Sequence, residues 1–419
     1  MMESSKKTLT LDYAARNVNP AAFSTMVKPA GSLCNLDCHY CYYLDKSLQY
    51  DGKQPLMSPE LLERFTRQYI EANEVPVVTF LWHGGEPLMQ GVDFYRKALE
   101  LQNRYSSGKK IENVLQTNGT LLNEEWCKFF AKNNFLIGIS IDGPKDIHDT
   151  FRLNKAGKPS FDKVMNGIDL LKRYKVEFNT LSVVNKLSEK RGSEVYQFLK
   201  NIGSHYMQFL PAVEHVVEIP GRKRAVIVPP EHEGAHIATW SVSANGYGEF
   251  LNDIFDIWVR NDVGQYFVQI FDSTLAQYCG IQPGLCSMNE TCGEALIVEH
   301  NGDVYPCDHF VYPEYKLGNI SEMSLREIYL GQKRFDFGMD KRSTLPSECM
   351  NCEYFTLCRG ECPKHRFEPV SSGEGKKNIL CEGFKLFFKH TEPYMKYMRD
   401  LLASGKPAFN VIPWARTNF

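Results

Sequence analysis

Residues 23–41 read FSTMVKPAGSLCNLDCHYC. The apolar, β-branched start, FSTMVKP, has the character of a strand. The cysteines that follow, Cys34, Cys38 and Cys41, form a CxxxCxxC triad. A cubane iron–sulfur cluster has four irons and normally takes four thiolates. Three thiolates this close in sequence leave one iron open, able to chelate a small molecule and pass it an electron. Two other chemistries fit the spacing: a redox pair, or a zinc site with His39 as an added ligand.

Outward from the triad, five further strand-like runs follow: VPVVTFLWH, IENVLQT, FLIGISI, KVEFNTLSVV and SHYMQFL. Amphipathic stretches lie between them, beginning near Ser58, Val92, Asn123, Phe161 and Ser188. Ser58 precedes proline and glutamate, a helix start with an N-cap serine and proline at the first helical position. Asn123 precedes two glutamates, which suit the positive end of a helix. Alternating strand and helix predicts a parallel α/β sheet. Six units predict a partial, open (β/α)6 barrel rather than a closed eight-fold one. Ligands in barrels bind at the C-terminal ends of strands. The triad sits at such an end. So do Gly84-Gly85-Glu86-Pro87, Gln116-Thr117-Asn118 and Ser140-Ile141-Asp142-Gly143. Two glycines allow close backbone approach to a ligand, and Glu86 is a carboxylate that suits an ammonium group. Asn118-Gly119 and Asp142-Gly143 also fit ordinary turns.

The regular pattern stops near Pro211. The stretch to about Gly246 reads as irregular, and YGEFLNDIFDIWVRND then reads as a helix. From Cys279 to Cys381 the chain is rich in Cys, Gly, Pro and Asn, with short apolar runs such as EALIVEH, and reads as a small metal-organised domain. A last helical pattern runs from Phe384 to about Leu402. Cys286 precedes Cys292, which is followed by nine residues, Gly302, four residues and Cys307. Cys349, Cys352, Cys358 and Cys362 have the spacing CxxCx5CxxxC, with Cys381 beyond. Eight thiolates suit two fully ligated cubanes, which move electrons rather than bind substrate; zinc sites are the rival. Of thirteen cysteines this leaves Cys127, read as a buried core thiol, and Cys279, a possible substitute ligand.

Composition excludes several classes. A chain of 419 residues with a net charge of −2 offers no electrostatic basis for nucleic-acid binding. No apolar run is long enough to span a bilayer. The first twenty residues lack the apolar core of a secretory signal, so the expected location is cytoplasmic. In that compartment the cysteines are metal ligands rather than a disulfide framework.

With the triad, GGEP and the C-terminal cysteine array together, the chain resembles the radical S-adenosylmethionine enzymes that carry a SPASM domain, and among them the anaerobic sulfatase-maturating enzymes. The resemblance runs from about Thr25 to Cys381. It implies a radical SAM partial barrel over 1–235, a helical linker over 236–278, a SPASM domain over 279–385 and a C-terminal helix and tail over 386–419. It implies S-adenosylmethionine and three 4Fe-4S clusters. Cys34, Cys38 and Cys41 would hold the catalytic one. Cys286, Cys292, Cys307 and Cys362 would hold one auxiliary cluster, and Cys349, Cys352, Cys358 and Cys381 the other. Tyr40 would lie against the adenine, Gly84, Gly85, Glu86 and Pro87 at the methionine end, Ser140 and Arg152 at the ribose and carboxylate, and Val213 beside the adenine. Asp308 matches the family's proton acceptor. His83 stands where a glutamine is expected.

The implied reaction oxidises a Cys or Ser of a sulfatase polypeptide, unfolded or nascent, to Cα-formylglycine, with an external electron donor such as flavodoxin or ferredoxin. Two alternatives remain at the level of sequence. One is a peptide maturase that forms thioether or carbon–carbon crosslinks, for which the roughly 24 residues before the first strand leave little room for a leader-binding module. The other is a zinc-stabilised binding protein without catalysis.

Overall fold

All six strand-like runs become neighbouring parallel strands of one sheet in a computed structural model of the protein, which describes residues 22–46, 56–221, 224–229 and 232–418. They are β1 (Ser24–Lys28), β2 (Val77–Trp82), β3 (Lys110–Thr117), β4 (Leu136–Ser140), β5 (Phe178–Val184) and β6 (Tyr206–Pro211). Helices Pro59–Ala72, Val92–Tyr105, Glu124–Lys132, Phe161–Arg173 and Gly192–Asn201 connect successive strands. Two starts follow the expected chemistry. Ser58 accepts a hydrogen bond from the Leu61 N–H, and Asn123 accepts one from the Trp126 N–H. Strand and helix faces meet over buried Phe65, Tyr69, Phe80 and Trp82. Burying a phenylalanine of this kind contributes about 1.5–3 kcal/mol over leaving it exposed. The N-terminal stretch in which no signal peptide or leader-binding module is expected lies mainly in residues 1–21, outside the described residues.

Three local features differ from expectation. A short helix, Lys145–Phe151, follows Gly143-Pro144, too brief for its periodicity to stand out. The fifth connecting helix begins at Gly192 rather than near Ser188. Asn185 and Ser188 close a turn first, through Asn185 N–H to Ser188 Oγ at 3.0 Å and Ser188 N–H to Asn185 O at 3.1 Å. The stretch after Pro211, read as irregular, holds a small antiparallel sheet of β7 (His215–Val217), β8 (Val226–Val228) and β9 (His236–Ile237). Strands of two or three residues carry too little alternation to be recognised alone.

The sheet also extends at both edges, to ten strands in the order β10-β6-β5-β4-β3-β2-β1-β11-β12-β13. β10 (Phe267–Val268) joins β6. The run EALIVEH becomes β11 (Ala295–Glu299) and pairs parallel with β1, Lys28 opposite Glu299. Strands β12 (Asp303–Tyr305) and β13 (Gly318–Asn319) follow in antiparallel sense. The cysteine-rich part of the chain thereby shares a sheet with the barrel. Helix Ala244–Asn261 packs on helix Cys381–Ala403, and their closest approach is glycine on glycine. A Cβ on Gly383 would stand 1.9 Å from the Ala244 carbonyl oxygen, and one on Gly248 would stand 2.5 Å from the Gly383 carbonyl oxygen. No helix among the described residues is long and apolar enough to cross a membrane.

Candidate active site

Strand β1 ends at Lys28, and the chain turns through Pro29–Ser32 into the cysteine loop. Two neighbours pin that loop. From one side, Asp37 N–H donates to Leu153 O at 2.8 Å and His39 N–H donates to Phe151 O at 3.0 Å. From the other, Gly85 N–H donates to Gly31 O and Glu86 N–H to Leu33 O, both at 2.8 Å. The glycines of GGEP are explained by this contact, because a Cβ on Gly85 would stand 2.1 Å from Leu33 O. Their close approach is to the protein's own cysteine loop. Gly84 and Gly85 line the cavity above the strand ends, while Glu86 and Pro87 lie behind that wall. The buried Glu86 carboxylate accepts from Leu88 N–H at 3.0 Å, Thr117 Oγ1 at 2.8 Å and Asn118 N–H at 2.9 Å. Burial pushes its carboxyl up to about 7.

The cavity collects most of the residues singled out by sequence. Cys34, Cys38, Cys41, Tyr40, His83, Ser140 and Arg152 line it. Val213 is buried and does not, although its neighbours Ala212 and Glu214 do. His39 does not line it either. Asp142, which in sequence reads only as part of a strand-end turn, organises one wall. Its carboxylate takes a bidentate pair from Arg152, both contacts at 3.0 Å, and a hydrogen bond from the Tyr40 hydroxyl. Val183 N–H donates to it as well, at 3.0 Å. Asp142 and Arg152 are both buried. Gln116 donates to Ser140 Oγ at 3.0 Å. The signal for Asp142 in sequence is its spacing from Arg152, which only a completed turn brings into contact.

Cys286, Cys292, Cys307 and Cys362 line the same cavity. Cys349, Cys352, Cys358 and Cys381 do not line it. Burial pushes the thiols that line the cavity up: Cys34 and Cys307 to about 12, Cys292 to about 11. The cysteines near enough to oppose one another's ionisation fall into three groups. One holds Cys34, Cys38 and Cys41. A second holds Cys286, Cys292, Cys307 and Cys362. The third holds Cys349, Cys352, Cys358 and Cys381. Cys127 and Cys279 stand apart; after burial, Cys127 feels Glu124 and Cys279 feels Arg399.

These donor sets fit iron–sulfur clusters. Buried thiols this hard to ionise are stable as ligands only when a metal replaces the proton. Two donors already lean toward the anion: the Leu36 N–H donates to Cys34 Sγ at 3.4 Å, and the Asn118 side-chain amide Nδ2 donates to it at 3.7 Å. Among the described residues, no three or more His, Cys, Asp or Glu side chains close on one point as a single-ion site does.

Where β1 meets β11, the buried Lys28 ammonium pairs with Asp308, and Tyr42 donates its hydroxyl to the same carboxylate. Lys28 Nζ also lies 3.2 Å from His83 Nδ1, which accepts from Gly84 N–H at 2.7 Å. Burial, reinforced by the Lys28 charge, pushes His83 down to about 3 and keeps it neutral. Burial alone would raise the Asp308 carboxyl. The adjacent Lys28 ammonium outweighs it and holds Asp308 well below the usual carboxylate range.

Comparison with known proteins agrees with this geometry. The family model of the radical SAM superfamily matches residues 29–199, and that of an iron–sulfur cluster-binding domain, SPASM, matches residues 286–353. A serine-type anaerobic sulfatase-maturating enzyme of Bacteroides thetaiotaomicron is 49% identical over 388 residues, 92% of this chain and 94% of the relative. A cysteine-type anaerobic sulfatase-maturating enzyme of Clostridium novyi is 36% identical over 91% of this chain and 98% of its own length. A solved structure of native anSMEcpe with bound AdoMet and a Cp18Cys peptide superimposes with a TM-score of 0.79 at 32% identity, covering 91% of this chain and 99% of the other. The chain therefore belongs to the anaerobic sulfatase-maturating enzymes, within the radical S-adenosylmethionine superfamily.

Proposed function

We propose that this enzyme oxidises a Cys or Ser side chain of a sulfatase polypeptide to Cα-formylglycine, using S-adenosylmethionine and three 4Fe-4S clusters. One observation carries it: the triad and the group Cys286, Cys292, Cys307 and Cys362 line one and the same cavity. A two-electron oxidation that begins with a one-electron event needs an electron inlet and an electron outlet at the same substrate. When bound, S-adenosylmethionine and a cluster held by Cys34, Cys38 and Cys41 would supply radical chemistry at the target Cβ, and clusters held by the eight C-terminal cysteines would supply an outlet for the second electron.

The chain's own residues position and exclude. The GGEP strap fixes the cysteine loop against β1 and presents backbone at Gly84 and Gly85 to the methionine end. Asp142 holds Arg152 and Tyr40 rigid, so that the cofactor's carboxylate and adenine meet preset partners rather than mobile ones. Ser140 supports the ribose, and Val213 packs behind the adenine wall. Asp308 receives the proton from the target thiol or hydroxyl. Lys28 keeps that carboxylate ionised, and the weak basicity this imposes is offset because electron loss turns the target group into a strong acid. The outer group, Cys349, Cys352, Cys358 and Cys381, stands away from the cavity and passes electrons on. An external donor such as flavodoxin or ferredoxin feeds the catalytic cluster.

The test is anaerobic incubation of the reconstituted enzyme with S-adenosylmethionine, a reductant and sulfatase-derived peptides carrying Ser or Cys at the target position. Mass spectrometry should find formylglycine in at least one peptide. Cleavage of the cofactor with no aldehyde, or with a crosslinked peptide instead, overturns the proposal.

A further inference from the structure

Between Cys358 and Cys362 the chain reads Arg359-Gly360-Glu361, and all three residues are left-handed, with φ of 51°, 71° and 49°. Two non-glycine residues flanking a left-handed glycine in the same conformation are costly. Some other group must hold the turn. Arg366 does so: its Nε donates to Gly360 O at 3.0 Å, and one terminal nitrogen donates to Glu361 O at 3.3 Å. The other terminal nitrogen donates to Lys341 O. A Cβ on Gly360 would stand 2.8 Å from the guanidinium. The turn is the short link between the two four-cysteine groups, since Cys358 belongs to one and Cys362 to the other.

We propose that Arg366 is a positive charge shared by the two auxiliary centres, clamping the turn between them and raising the reduction potentials of both. The inference rests on the reading of the two groups as cluster ligands. All its hydrogen bonds go to neutral carbonyls, and among the described residues it makes no ion-pair contact with a carboxylate. The charge acts on the buried Glu361 carboxylate of the turn it clamps and on thiols of both four-cysteine groups. It is felt by Cys292 and Cys362 of one group and by Cys349 of the other. A reduced cluster carries one more negative charge than an oxidised one, so a nearby cation favours reduction, and partial burial leaves that attraction weakly screened. Lys341 provides the contrast. Its ammonium donates to Ser287 O at 2.6 Å and to the carbonyls of Cys286 and Asn289, and the thiolates it faces, Cys292 and Cys362, belong to the inner group alone.

The experiment is an anaerobic potentiometric titration of the full-length, iron-loaded enzyme followed by electron paramagnetic resonance, after iron and sulfide assay. Arg366→Gln should move both auxiliary potentials negative, by about tenfold in the reduction equilibrium, about 59 mV for one electron. The catalytic cluster should not move. Arg366→Lys keeps the charge and should restore both potentials, whereas Lys341→Gln should move only the inner cluster. Unmoved potentials in Arg366→Gln, or movement of only one, overturn the inference. So does an Arg366→Lys enzyme that behaves like Arg366→Gln, which would make the role structural. If Arg366→Gln loses one cluster, the survivor still reports the charge; if it loses both, Arg366→Lys must match the wild type or the inference fails. A wild-type enzyme with iron for only one cluster would instead overturn the underlying cluster assignment.

Discussion

Asp142 is the residue on which one wall of the cavity turns. It is a buried carboxylate that holds Arg152 in two hydrogen bonds and receives the Tyr40 hydroxyl. Removing one partner of a buried pair leaves the other charge without compensation and typically costs about 3–5 kcal/mol. Asp142→Ala should therefore lower the denaturant midpoint and weaken S-adenosylmethionine binding together, checked by chemical unfolding and equilibrium binding of the cofactor. Asp308 calls for a different signature. Asp308→Asn keeps the shape beside Lys28 and Tyr42 but cannot take a proton. On the proposed mechanism, 5′-deoxyadenosine still forms while formylglycine falls by about 10²–10⁴, the usual worth of a general base. The two products are counted in one chromatographic run, and a parallel loss of both would show that Asp308 serves the clusters instead.

At the scale of elements, two glycine contacts set where the cysteines go. The strap after β2 lies so close to the cysteine loop that any side chain at Gly85 collides with Leu33 O. Gly85→Ala should destabilise by about 1–3 kcal/mol, the cost of overpacking, and should lower the iron bound by the triad. Iron assay and thermal unfolding of the same preparation check this. Gly383 sits two residues into the last long helix, whose first residue is Cys381. Its contact with Ala244 O leaves no room for a Cβ. Both contacts join elements distant in sequence, so neither glycine has a local turn to betray its purpose.

At the scale of the whole molecule, the parallel pairing of β1 with β11 is what makes one site from two ends of the chain. It puts Glu299 opposite Lys28, and Cys307 and Asp308 follow a few residues later. The three cysteine groups nevertheless remain separate, which predicts separable loss. Cys349→Ala should remove about four irons of about twelve, while the catalytic cluster still cleaves S-adenosylmethionine. Iron content and cofactor cleavage without peptide, measured side by side, decide it. Equal loss from all clusters would show that the groups assemble as one unit.

Chemistry carried by close neighbours along the chain is legible in the sequence. The CxxxCxxC triad, six alternating strand and helix units, the N-caps Ser58 and Asn123, and the eight C-terminal cysteines all depend on spacings of a few residues, which backbone geometry translates directly into local form. The EALIVEH run is recognisable as apolar, but not as a further parallel partner of β1. Parallel pairing depends on which edge is free, and that is a property of the assembled sheet. Likewise Glu86 reads as a carboxylate for a ligand until folding surrounds it with Leu88, Thr117 and Asn118 donors. Sequence by itself determined how the cysteines cluster along the chain and the order in which the first six strands form the sheet. Tertiary structure decided which cysteines line one cavity, which charges face them and which glycines have no room for a side chain, because burial and Coulomb interaction act through distances that the order of residues does not contain.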